Sequence, residues 1–112
     1  MTITLIRSTD FVPHPKFAGV FIKPCFGRAH TDRLNNMEVR IEPGREISRH
    51  VHPASTEFYY IVAGTGQYWD GRVWQPTQAG DAFQAPAGEE HGLRNTGTVP
   101  LLVFSTFTPP LN

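Results

Sequence analysis

The chain has 112 residues, 39% of them hydrophobic, and its ten basic and ten acidic residues cancel to a formal charge of zero. That length fits one domain with its own core, the unclustered charge argues against a nucleic-acid partner, and no apolar run is long enough to span a bilayer. The single cysteine, Cys25, excludes an internal disulfide and favours a reducing compartment. The opening residues lack the basic, apolar and small-residue regions of a secretory leader, so a cytoplasmic protein without membrane partners is expected.

Taken in order, the predicted elements are short strands. Residues 18–26 form a largely apolar run too short for a helix. Residues 34–41 alternate, with Met37, Val39 and Ile41 on one face. Glu42-Pro43-Gly44 has turn composition, and residues 56–63 are rich in aromatic and β-branched side chains before Gly64-Thr65-Gly66 breaks them. Residues 67–69 and 72–74 flank Asp70-Gly71, a two-residue hairpin signal. Further strands are expected at 81–85, 91–95 and 101–108, separated by Pro86-Ala87-Gly88 and closed by Pro109-Pro110. Ten glycines and ten prolines spaced between such runs, with no capped helical period, define an all-β sandwich or barrel.

Four residues carry the chemistry. His50 and His52 are one residue apart, and positions i and i+2 of a strand share a face, so both imidazoles can aim at one point. Glu57 follows a short connection, and His91 comes just after the turn at 86–88. Three neutral imidazoles and one carboxylate suit a divalent transition metal. By itself an H-x-H pair is a weak signal, equally compatible with an exposed strand.

The frame around these residues is more specific. Gly44, His50, His52, Glu57 and Gly64 stand in one spaced pattern over 44–64. Gly80, Pro86, Gly88, His91 and Asn95 stand in a second over 80–95. These patterns resemble the two signature motifs of the cupin superfamily, with every fixed position filled and a short intervening stretch, as in small single-domain barrels of the conserved "cupin 2" type.

The resemblance implies one cupin domain over 1–112, a small antiparallel jelly-roll β-barrel of six to eight strands. One divalent metal per chain (Mn, Fe, Ni or Zn) would sit inside one end on His50, His52, Glu57 and His91. Four protein ligands would leave an octahedral ion two open or water-filled positions. The implied function is a metalloenzyme acting on a small oxygenated organic substrate, of dioxygenase, decarboxylase, isomerase or lyase type. The alternative is a non-catalytic barrel binding a sugar or another effector. A metal-bound water is the favoured acid–base group. Similar small cupins pair as homodimers, and the apolar start (Ile3, Leu5 and Ile6) is placed to add a strand to a second copy's sheet.

Other residues receive structural expectations. Tyr59 shares the face of Glu57 and is either a cavity-lining catalytic candidate or a core tyrosine with its hydroxyl satisfied. Asn95 is structural, Cys25 is a small buried hydrophobe, and His14 and His30 are exposed. Arg28, Arg49 and Arg94 are possible carboxylate anchors, with Arg49 turned away from the metal. Glu89 and Glu90 are solvated. One of Phe83 and Gln84 faces inward, as does either Ser105 with Phe107 or Phe104 with Thr106. The interior reads as mostly apolar, suited to a small ligand of at most one charge.

Overall fold

The computed structural model describes residues 1–111, which form ten strands and a single 3-10 turn at Ile6–Ser8. The strands are β1 (Val12–Pro13), β2 (Val20–Pro24), β3 (Asn35–Ile41), β4 (Glu46–His50), β5 (Thr56–Ala63), β6 (Thr65–Trp69), β7 (Trp74–Gln78), β8 (Ala82–Ala85), β9 (His91–Asn95) and β10 (Leu101–Thr108). They make two antiparallel sheets, ordered β1-β2-β3-β10-β5-β8 and β4-β9-β6-β7. This is the expected jelly roll, with more strands than expected because short pieces at the margins also pair. No helix among the described residues is long and apolar enough to cross a membrane.

Alternation builds the core between the sheets. On β3, Asn35, Met37, Val39 and Ile41 are buried and the residues between them are only partly covered. β10 lies beside β3 and β5 and buries Leu101, Val103, Ser105 and Phe107, which settles its parity. Phe83 is the inward member of its pair, stacked between Tyr59 and Tyr68 at centroid distances of 4.7 and 4.4 Å. Gly64 joins β5 to β6 with φ +91°, and a Cβ there would lie 2.7 Å from the Pro100 carbonyl oxygen, so only glycine fits the turn.

One local expectation needs correction. The hairpin at Asp70-Gly71 has a four-residue loop, since Trp69 and Trp74 form the last pair. The Asp70 carboxylate accepts the amides of Arg72 and Val73 at 2.8 and 2.9 Å, and the Asp70 amide donates to the Val73 carbonyl at 3.1 Å. These bonds stabilise the wider loop locally. β7 therefore starts later and includes Pro76, which is tolerated because β7 is an edge strand. The apolar start forms no strand in this chain: Ile3 and Leu5 are exposed, and the Ile6 carbonyl accepts from Lys23 Nζ at 3.2 Å.

Candidate metal centre

β4 presents its histidine through an irregularity. Ile47 is buried opposite Leu93, and strict alternation from it would turn Arg49 inward. The register shifts between Ile47 and His50 by one extra residue on β4, which brings His50 opposite His91 and sends Arg49 outward. Arg49 then lies over the Trp69 ring, 4.6 Å from its centroid. His52 is two residues on, past the end of β4, and its carbonyl accepts the Gly88 amide at 2.9 Å. The Pro86-Ala87-Gly88 turn thus ties the segment carrying His52 to the one that presents His91.

Glu57 enters from the other sheet, on β5, and is 4% exposed. Its Oε1 accepts from the Tyr59 hydroxyl at 2.6 Å and faces His91 Nε2 at 3.1 Å and His52 Nε2 at 3.5 Å. Its Oε2 accepts from the Ser105 hydroxyl. Burial would raise the Glu57 pKa, but hydrogen bonds from His52, His91, Ser105 and Tyr59 outweigh it and bring the carboxyl from 4.5 down to about 2. A carboxylate this buried is held ionised by its neighbours. Burial and the Glu57 charge push the Tyr59 phenol well above its ordinary pKa. Tyr59 thus borders the cavity and also has its hydroxyl satisfied.

The histidine tautomers decide what the cluster can hold. His50 Nδ1 lies 2.6 Å from the Ser48 carbonyl and His91 Nδ1 lies 3.0 Å from the Glu89 carbonyl. A carbonyl only accepts, so both Nδ1 atoms carry protons and both neutral rings turn an Nε2 lone pair inward. His50 Nε2 is 3.0 Å from His52 Nε2, and His91 Nε2 faces a carboxylate oxygen. Inward lone pairs at this spacing need a shared proton or a cation between them. The donor atoms of His50, His52, Glu57 and His91 all lie within 4.8 Å of one another, so this set could hold one metal ion. Burial lowers the His91 pKa, but bonds to Glu57 and to the Glu89 carbonyl raise it overall. Burial lowers that of His50.

His50, His52 and Glu57 line one side of a cavity of about 440 Å³. Its walls include Met37, Val39, Ile47 and Phe107, and the 14–17 segment also borders it. His14, expected to be exposed, is half-buried there, whereas His30 is exposed as expected. The arginines are engaged elsewhere: Arg28 donates to the Pro110 carbonyl, and Arg94 bonds Gln67 and lies over the Trp74 ring. Asn95 is structural, donating to the Ile41 and Val99 carbonyls and accepting the Gly97 amide. Glu90 is less free than expected, since its carboxylate accepts from Trp69 Nε1 at 2.8 Å. Cys25 is half-buried, and burial raises its thiol pKa. Parity alone does not place Ser105, because both faces of β10 carry apolar residues.

A two-sheet antiparallel barrel with three inward histidines and a glutamate defines a small jelly-roll protein with a candidate metal site. The cupin domain family model matches residues 37–107, and the chain belongs to that family. Over 63 residues it is 35% identical to the oxalate-binding protein of Thermotoga maritima, an alignment covering 56% of this chain and 52% of the relative. The match thus spans about half the length of that curated relative. KdgF from Halomonas sp. superposes with a TM-score of 0.85 at 23% identity, covering 97% of this chain and 94% of KdgF. A crystal structure described as a predicted oxalate decarboxylase from Thermotoga maritima gives a TM-score of 0.81 at 24% identity, covering 95% and 99%. At these identities the structural likenesses show the shared fold.

Proposed function

We propose that this protein is a divalent-metal cupin acting as an enzyme on a small oxygenated organic substrate, of dioxygenase, decarboxylase, isomerase or lyase type. The observation that carries the reading is the convergence of four donor atoms, those of His50 and His91 with lone pairs set inward by backbone carbonyls, beside a cavity of about 440 Å³. That volume is at the smaller end of ligand pockets. A divalent ion held there supplies Lewis-acid or redox chemistry to whatever binds beside it. The Ser48 and Glu89 carbonyls keep His50 and His91 in the ligating tautomer, and Tyr59 and Ser105 hold the Glu57 carboxylate in place. Met37, Val39 and Phe107 give the substrate an apolar wall and displace water from it. A purely structural ion fits less well, because structural sites are closed and rich in thiolates. The second reading, a non-catalytic binding barrel, is favoured by the name of the oxalate-binding relative.

Elemental analysis of protein purified without chelator is expected to give about one equivalent of Mn, Fe, Ni or Zn per chain. Substrate turnover with metal and none after chelation supports the enzyme, while metal-dependent binding without turnover supports the binding barrel. Failure to take up any of these metals on soaking removes the metalloenzyme and leaves a metal-free binding barrel as the reading. A homodimer belongs to the same proposal. Phe58, Tyr60 and Val62 form an exposed apolar row on the outer face of β5, one strand in from the edge of the six-stranded sheet, and a second copy would cover them. Sedimentation at micromolar concentration is expected to give twice the chain mass, and a monomer there would remove the pairing.

A further inference from the structure

The segment between β1 and β2 lies outside both sequence motifs, yet it borders the cavity. Phe17 anchors it, packing partly buried against the core between His14 and His50, at centroid distances of 4.8 and 5.9 Å. Backbone bonds close the turn: the His14 amide donates to the Val20 carbonyl at 2.8 Å, and the Val20 amide donates to the Phe17 carbonyl at 3.3 Å. The Lys16 amide donates to His14 Nδ1 at 3.0 Å. An amide only donates, so Nδ1 carries the lone pair and the neutral ring keeps its proton on Nε2. His14 is therefore a half-buried imidazole beside the cavity whose remaining polar atom is an N–H donor. Burial and the nearby Lys16 charge favour its neutral form, and it is close enough to Glu57 to feel that charge.

Around the rest of the cavity the wall is apolar, and its other ionisable groups are the candidate ligands themselves and the tyrosine bonded to Glu57. Among the cavity-lining residues, His14 and Lys16 are the donors that neither ligate nor hold a ligand. A ligand in this cavity therefore has His14 and Lys16 of the 14–17 turn at one border, His50, His52 and Glu57 at another, and aliphatic and aromatic surface around it.

We propose that His14 and Lys16 form the recognition element for a small organic monoanion, a carboxylate with an apolar body, whose oxygens lie between the 14–17 turn and the metal. This rests on the metal-centre reading above and adds the ligand class and two residues that the motifs do not contain. Neutral His14 donates one hydrogen bond to the carboxylate, Lys16 supplies the opposite charge, and Met37, Val39 and Phe107 receive the apolar body. An uncharged analogue of the same shape would lose the charge-assisted part of the contact.

The test uses full-length protein loaded with Co(II), with benzoate as the acid probe and benzamide as its neutral counterpart. The Co(II) absorption spectrum first reports one equivalent bound, then its change on adding either probe. Benzoate is expected to shift the spectrum saturably and to bind at least about tenfold more tightly than benzamide. H14L and K16Q should keep their cobalt and their thermal stability while binding benzoate roughly tenfold more weakly, with K16R and H14Q recovering most of the loss. Wild-type affinity in both H14L and K16Q, equal affinity for benzoate and benzamide, or no response to benzoate up to its solubility limit would overturn the recognition element while leaving the metal centre standing. Absence of cobalt uptake would overturn the metal centre, and this inference with it.

Discussion

Replacing His91 with alanine is expected to lower divalent-metal affinity by at least about 100-fold, because even the loss of groups that merely orient ligands costs about 10- to 100-fold. His91 combines all the features a ligand needs. It is 5% exposed, it faces His50 across the β4–β9 pair, its Nδ1 proton is tied to the Glu89 carbonyl, and its Nε2 meets Glu57. The change also acts without metal. Glu57 would keep its bonds from Tyr59 and Ser105 but lose its His91 partner in a buried position. Such a loss costs about 1–3 kcal/mol. Metal titration of H91A against wild type, with H30A as an exposed-histidine control, separates the two effects when thermal melts are recorded in chelator. Unchanged affinity in H91A would remove it from the ligand set.

Much of this site was legible in the sequence because its spacing is local. His50, His52, Glu57 and His91 stand among glycines and a proline that fix where strands turn, and Gly44, Gly64, Gly80 and Gly88 all take positive φ in the structure. The H-x-H argument reached the right convergence although His52 is not on the strand, because the chain continues beyond β4 in a form that still turns the second ring inward. What the sequence withheld depends on tertiary pairing. The extra residue between Ile47 and His50 resets the face of β4, and no local signal marks it. Ser105 was ambiguous because Leu102, Phe104 and Thr106 make as plausible an inward set as Leu101, Val103, Ser105 and Phe107. The turn carrying His14 and Lys16 reaches the cavity through the two-residue strand β1, too short to show a period. The arginines that looked like anchors are instead committed to aromatic rings or backbone carbonyls.

Acidification is expected to act in two separate windows. In chelator, Glu57 has a folded pKa of about 2 against an ordinary 4.5. A depressed carboxylate stabilises the fold fully above its unfolded pKa, and that contribution is lost as pH falls from about 4.5 through 2. The difference corresponds to roughly 3 kcal/mol at most. The histidines act at higher pH and with opposite signs. His91, raised overall, stabilises below its ordinary 6.5 and loses that contribution as pH rises through its folded value. His50, lowered by burial, resists protonation and weakens the fold as pH falls below 6.5. Their effects partly cancel, so the steep part of the metal-free profile should lie in the carboxylate window. Bound metal adds a term of its own, since the ion binds folded protein with deprotonated imidazoles. That added stability should be large near pH 7 and vanish by about pH 5, as protons displace the ion from the imidazoles. Melting temperature against pH, with Mn(II) and with EDTA, resolves the two. Coincident curves at pH 7 would mean the four donors do not hold the ion. A flat EDTA curve between pH 4.5 and 2 would mean Glu57 is not the ionised, buried acceptor that its four partners make it.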